Sequence, residues 1–285
     1  MTAPGATSLP AVHERAYAKL NLILHVGRAR ADGLHPLASI FASIDLHDDV
    51  HAAPSGADRV ECAGVDGPNL AEAALRAFRA RVQGLAPLRI EIEKRIPVAA
   101  GLGGGSADAA AVLRAANRLA GHPLAAPALR ELAAGLGSDV ASQIDPRHAL
   151  VSGVGEEVEP IELPAFGAVL VPQSQGLSTP AVYAEFDRLG GGRDRLDLPA
   201  LRRLSREMAM LPILGNDLQP PALSLRPELR AVLDGLKAAG ALGALVSGSG
   251  PTCFGLFEDR AAAEGAAASI DGALVAALRS DYGGP

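Results

Sequence analysis

The chain has 285 residues and a mass of 29.0 kDa, with 48% hydrophobic and 20% charged residues, a globular balance that excludes a disordered chain. A formal net charge of −6 argues against a nucleic-acid surface as its main task. Two cysteines, Cys62 and Cys253, make neither a disulfide framework nor a zinc site, so a reducing, cytoplasmic compartment is expected.

The opening stretch, MTAPGATSLPAVHER, lacks the pattern of an export or transit signal. Residues 16–26 (AYAKLNLILHV) then alternate as a strand, with Leu20, Leu22, Leu24 and Val26 on one face and Lys19, Asn21 and Ile23 on the other. A loop over Arg28–Pro36 leads into an apolar segment, Leu37–Leu46. Asn69–Gln83 has helical spacing, with Asn69 as N-cap and Glu72 placed as in a capping box. Leu88–Glu93 alternates as a second strand, and Ser106–Ala120 and Pro127–Leu136 read as helices. The segment VSGVGEEV reads as a hairpin.

Beyond it, strands are expected at Phe166–Val171, Ala244–Ser247 and Thr252–Phe257. Helices are expected at Thr179–Leu189, Leu198–Met208, Pro227–Ala239 and Glu258–Ser269. Strict βαβ alternation is missing, so the pattern predicts an α+β chain of two domains, 1–158 and 159–285. The uncharged runs Leu163–Ala184 and Ala238–Phe257 are broken by proline and glycine, and no membrane span is expected.

The chemistry concentrates at Pro97–Ser106. Gly101, Gly103, Gly104 and Gly105 stand in one short loop that runs straight into a helix. Such a loop lets backbone N–H groups converge on an anion beside the positive end of the helix dipole. It is not a Walker A loop, because no lysine ends it. It is not a dinucleotide fingerprint either, because Ser106 takes the place of the last glycine. Ser106 has three roles open to it: capping the helix, touching a phosphate, or ligating magnesium. Composition adds a second pointer. Lysine occurs only at Lys19, Lys94 and Lys237 and asparagine only at Asn21, Asn69, Asn117 and Asn216, in a chain otherwise rich in arginine and alanine. A lysine kept against that bias marks a position that needs a compact ammonium.

PVAAGLGGGSADAA resembles the phosphate-binding motif of the GHMP small-molecule kinases, which include galactokinase, homoserine kinase and mevalonate kinase. AKLNL and LVSGSGPTCFGLF match two further motifs of that superfamily in order. Within it, AYAKLNLILHV, RADGLHPLASIFASIDLHD, EKRIPVAAGLGGGSADAA, the GSDV turn and NDLQPPAL are similar to the members that phosphorylate the 2-hydroxyl of 4-diphosphocytidyl-2-C-methyl-D-erythritol on the way to isoprenoids. The similarity covers most of the chain.

The resemblance implies a two-domain GHMP-kinase-like fold, with ATP and Mg2+ as cofactors and a small cytidyl diphosphate as substrate. It implies no nucleic acid, and a monomer or weak homodimer. Lys19 and Asp139 match the catalytic lysine and aspartate. Pro97, Gly101, Leu102, Gly103, Gly104, Gly105, Ser106 and Ala107 match the ATP phosphate loop, and Asn69 and Lys94 the adenosine side. Asn21, His35, Tyr183, Ser249 and Gly250 match substrate positions, His35 reading the cytosine edge and Tyr183 stacking on the ring. Two positions depart from the family pattern: Leu34 replaces an aromatic before the histidine, and Ala141-Ser142-Gln143 follow Asp139-Val140 where the family has Pro-Phe-Phe. The alternatives to this substrate are another small alcohol, or a non-catalytic ligand-binding regulator of the same fold.

Overall fold

The computed structural model describes residues 11–65, 69–207, 214–280 and 282. In chain order the elements are β1 (Val12–Val26), β2 (Leu37–Pro54), β3 (Arg59–Cys62), α1 (Leu70–Arg81), β4 (Leu88–Glu93), α2 (Gly104–Leu119), α3 (Ala126–Ala134), β5 (Ala149–Ser152) and β6 (Glu157–Pro160). They continue with β7 (Gly167–Val171), α4 (Thr179–Arg188), α5 (Leu198–Glu207), β8 (Gly215–Asn216), α6 (Gln219–Leu225), α7 (Leu229–Ala238), β9 (Gly243–Val246), β10 (Cys253–Phe257), α8 (Arg260–Ala267) and β11 (Leu274–Ala277). The mixed content agrees with the α+β expectation.

The described residues form two compact units that are interleaved in sequence: those within 1–16, 48–95 and 105–144 make the first, and those within 17–47, 96–104 and 145–285 the second. The expected cut after residue 158 falls inside β6, within the second unit.

In the first unit, β4 pairs antiparallel with the end of β2 (Asp49 opposite Glu93) and parallel with β3. Helices α1, α2 and α3 share one core with them, built on Val50, Phe78, Leu88, Ile90 and Leu113. Six alanines are buried along α2, and side chains that small let neighbouring backbones come close. Asn69 caps α1 as expected, its Oδ1 accepting from the Ala71 N–H at 2.9 Å, while Glu72 pairs along the helix with Arg76. Helix α2 begins at Gly104 rather than Ser106. Ser106 therefore sits inside the first turn, which removes capping from its three possible roles.

In the second unit, β5 pairs with the start of β2 and β6 with β5, giving the expected hairpin. A four-stranded antiparallel sheet has the order β11–β7–β10–β9, covered by α7 and α8 through Val169, Leu233, Leu236, Val246 and Ala263. The alternation read for β1 holds for direction but not for exposure. Lys19 and Asn21 are as buried as Leu20 and Leu22, because both faces of the strand are covered. The NDLQPPAL stretch contains a short helix, α6, that the sequence reading passed over; its two prolines stand in the first turn, where a missing N–H costs nothing. Met208, expected to end α5, lies outside the described residues. Among the described residues no helix is long and apolar enough to cross a membrane.

Candidate active site

Strand β1 points Lys19 and Asn21 to the same face, and in the second unit the phosphate loop and the Ser247–Gly250 turn converge on them. The Lys19 ammonium, 5% exposed as a residue, donates to Asn21 Oδ1 at 2.5 Å and to the Gly101 carbonyl at 3.1 Å. Its backbone N–H donates to the Leu102 carbonyl at 3.0 Å, which stitches the loop to the strand. Asn21 is oriented in turn, its Nδ2 donating to Ser39 Oγ at 3.0 Å while Ser39 donates to the Ile23 carbonyl at 2.6 Å.

Two glycines in the loop have no substitute. Gly101 has φ +75°, and a Cβ there would stand 2.3 Å from the Ser247 carbonyl oxygen and 2.9 Å from that of Gly250. Gly103 has φ +73°, and its Cβ would meet the Lys19 stem at 3.1 Å. Ser247 Oγ donates to the Gly101 carbonyl at 3.0 Å, so that oxygen accepts from both Ser247 and Lys19. Gly248 lies against the same group, its Cβ position 3.3 Å from Lys19 Nζ and 3.2 Å from Asn21 Oδ1. Ser249 Oγ is 2.8 Å from Thr179 Oγ1 at the start of α4.

The same unit brings His35 and Tyr183 together. Their ring centroids are 5.1 Å apart, and Phe186 meets the histidine edge-on at 5.7 Å. His35 Nδ1 lies 2.9 Å from the Gly27 carbonyl, which can only accept, so Nδ1 carries a hydrogen and donates it there. Asp187, one helical turn after Tyr183, has Oδ2 3.4 Å from Nε2 of the same ring. Leu34, the residue before His35 in sequence, is exposed.

In the first unit, Lys94 is gripped by two carboxylates. Its ammonium donates to Asp48 Oδ2 at 2.5 Å and to Asp108 Oδ2 at 2.7 Å, and Asp48 Oδ1 accepts the Arg95 N–H at 2.5 Å. Burial pulls the lysine pKa down, but the two carboxylates outweigh it and hold the ammonium above its ordinary range. Burial, with Asp48 adding to it, pushes Asp108 up to about 7 despite Lys94. Asp139 stands in the turn between α3 and a 3-10 turn at Ser142–Ile144, its backbone carbonyl accepting from Ser142 Oγ at 2.8 Å.

Sequence reasoning missed the partners that hold these groups: Ser39, Asp48, Asp108, Asp187 and above all Asn216. Asn216 donates from Nδ2 to the Val246 and Gly248 carbonyls at 2.8 and 2.7 Å. The scarcity of asparagine could have flagged it, as the scarcity of lysine flagged Lys19.

The comparisons place the chain that carries this loop, lysine and glycine turn among the small-molecule kinases. The sequence model described as "GHMP kinases N terminal domain" matches residues 69–146, and "GHMP kinases C terminal" matches 194–276. A 4-diphosphocytidyl-2-C-methyl-D-erythritol kinase of Rhizobium johnstonii is 42% identical, over 93% of this chain and 90% of its own. The Streptomyces coelicolor enzyme of the same name is 44% identical over 86% and 87%. The crystal structure of a 4-(cytidine 5'-diphospho)-2C-methyl-D-erythritol kinase superposes with a TM-score of 0.82 at 35% identity, covering 95% of this chain and all of that one. Homoserine kinase from Cytophaga hutchinsonii, at 17% identity and a TM-score of 0.68, shares the fold. The chain belongs to the GHMP kinases and, within them, to the 4-diphosphocytidyl-2-C-methyl-D-erythritol kinase family.

Proposed function

We propose that this chain transfers the γ-phosphoryl group of ATP to the 2-hydroxyl of 4-diphosphocytidyl-2-C-methyl-D-erythritol. The observation that carries the proposal is the convergence of the phosphate loop and the Ser247–Gly250 turn on the buried Lys19. Phosphoryl transfer asks little covalent chemistry of a protein, and much positioning and charge stabilisation. Lys19 supplies a compact positive charge whose position is set by Asn21 and the Gly101 carbonyl. Gly101 to Gly105 offer backbone N–H groups, and the first turn of α2 its dipole, to the triphosphate. Asn69 and Lys94 stand on the adenosine side, Lys94 through its stem and backbone, since its ammonium is committed to Asp48 and Asp108. Asp139 accepts the hydroxyl proton, the role its GSDV motif supports, worth typically ~10²–10⁴-fold in rate.

Magnesium binds through few protein oxygens and several from phosphate and water, so one hydroxyl in the first turn of a phosphate helix suits it; Ser106 is that hydroxyl. The ion would neutralise charge on the phosphates. On the substrate side, His35 Nε2 accepts from the exocyclic amine of cytosine, and a 4-oxo base would face it with a second acceptor. Tyr183 stacks on the ring, with Leu34 over it in place of the family aromatic. Ser249 and Gly250 lie at the acceptor end.

The test is ADP release with a panel of alcohols: the cytidyl substrate, its uridyl analogue, homoserine and mevalonate. Turnover with the cytidyl substrate alone is expected. Higher turnover with another alcohol overturns the substrate assignment, and no ADP release with any of them makes the chain a binding protein.

A further inference from the structure

Asn216 and Asp217 are consecutive, yet their side chains hold different parts of the site. Strand β8 runs parallel beside β1, with Gly215 opposite Ile23 and Asn216 opposite Leu24. That register sets the dipeptide next to the strand that carries Lys19 and Asn21. The Asn216 amide is buried and fully used: Nδ2 donates to the Val246 and Gly248 carbonyls, and Oδ1 accepts the Leu218 N–H at 2.8 Å. Those two carbonyls flank Ser247, whose hydroxyl holds the Gly101 carbonyl, and Gly248 backs Lys19 and Asn21. One side chain thus sets the curvature of the turn at the reacting end.

Asp217 works in the other direction. Its N–H donates to the Leu24 carbonyl at 2.9 Å, and its Oδ2 accepts the Val26 N–H at 3.0 Å. Arg193 closes on the carboxylate with two bonds, 2.6 and 2.8 Å, and donates its own N–H to the Val26 carbonyl at 2.9 Å. Burial pushes the Asp217 carboxyl up, but Arg193 and the Val26 N–H outweigh it and hold it below the usual range. The residue after Val26 is Gly27, whose carbonyl accepts from His35 Nδ1 and so orients the ring. Asp217 therefore anchors the end of β1 from which the base-reading group is aimed.

We propose that Asn216 and Asp217 form a two-way clip, Asn216 the positioning residue for phosphoryl transfer and Asp217 the positioning residue for recognition of the aminopyrimidine base. The inference rests on the reading above, in which Lys19 marks the reacting end and His35 the base.

The experiment is steady-state kinetics of Asn216→Ala and Asp217→Asn with ATP and the cytidyl substrate, with calorimetric binding of cytidine diphosphate and thermal melting alongside. For N216A, kcat should fall by about 10²-fold, because a small misplacement at the reacting end costs that much, with KM for the cytidyl substrate unchanged within about twofold. For D217N the split reverses. KM and the cytidine diphosphate Kd rise by about tenfold while kcat stays within about twofold. A merely structural role moves both parameters together, in step with the melting temperature. That result, or the two effects exchanged, overturns the clip. Should N216A fail to fold, Asn216→Ser, which keeps one donor, reads the same split. Wild-type protein that turns over ATP but not the cytidyl substrate, and does not bind cytidine diphosphate, sinks the substrate reading and the Asp217 half of the clip. The kcat effect at Asn216 is then measured on the alcohol that is used.

Discussion

Two of the three lysines have their ammonium held inside the protein, Lys19 buried and Lys94 half-buried, one in each unit, and they are held in opposite ways. Lys19 in the second unit is placed by neutral oxygens, an amide and a backbone carbonyl, both belonging to segments that carry the phosphate and acceptor motifs. Lys94 in the first unit is clamped between two buried carboxylates, one from β2 and one from α2. The first arrangement sets the direction of a charge; the second ties two elements together. The identity of a buried lysine therefore says little about its task until its partners are known.

The largest effect should come from breaking the clamp. Lys94→Met leaves Asp48 and Asp108 facing each other with no cation between them. Removing one partner of a buried ionic group typically costs ~3–5 kcal/mol, which should show as a lower urea midpoint. Adding Asp108→Asn should recover a large part of that loss, since one of the two charges goes with it. A double variant as unstable as the single one would mean that packing, not charge, sets the cost.

Lys19→Arg probes the other arrangement, and its effect should fall on rate. A planar guanidinium cannot occupy the place of a compact ammonium between Asn21, Gly101 and Gly103. Turnover should drop by about 10²–10³-fold, the scale of losing a charge-stabilising donor. ADP release at saturating substrate is the measurement, and near-normal turnover would break the contrast between the two lysines.

The two units should also answer to pH with opposite signs. Asp108 titrates at about 7 in the folded chain against 3.8 for the free side chain. Between those values the folded chain holds a proton that the unfolded one has lost, so this stabilisation is present below ~pH 4 and lost as pH rises through 7. His148, in the second unit, is pulled down to about 4 by burial, from 6.5. There the unfolded chain binds the extra proton, and stability is lost as pH falls from 6.5 towards 4. Asp108→Asn should flatten the first dependence and His148→Asn the second, each by no more than a few kcal/mol, read from urea midpoints across pH 4 to 8. Profiles unchanged by either substitution would show that these buried groups do not control the titration.

How much of this was legible in the sequence depended on range. The Asn69 cap, the direction of Lys19 and Asn21 on β1, and the glycine loop follow from neighbours within a few residues, and the sequence shows them. The second half of β2 does not read as a strand, because HDDVHAAP looks like a loop until Lys94 and Arg95, far along the chain, neutralise Asp48 and Asp49. Asn216 was hidden for the same reason. Its work is done on carbonyls of Val246 and Gly248, and β8 is only two residues long. The interleaving of the units was also invisible, since β1 and β2 each run through both, and no change of composition marks the crossing.

Lys237 supplies the smallest effect, and with it the control for the contrast. It lies in the last turn of α7, well exposed, 3.8 Å from Asp234 one turn back. Exposed pairs of this kind contribute ~0–1 kcal/mol, and arginine makes the same contact. Lys237→Arg should therefore leave stability within about 0.5 kcal/mol and turnover unchanged. The comparison turns on all three substitutions being the same kind of change in a chain that uses arginine almost everywhere else. At Lys237 the basic group needs only a charge near a helix end, which either side chain supplies. At Lys94 the ammonium must fit between two carboxylates, and Lys94→Arg should cost stability with less effect on turnover per folded molecule. At Lys19 it must stand at one point beside a phosphate loop, and there the rate should suffer most. Equal losses at Lys237 and Lys19 would mean that lysine scarcity reflects solubility or folding in general, and that rarity carried no information about the site.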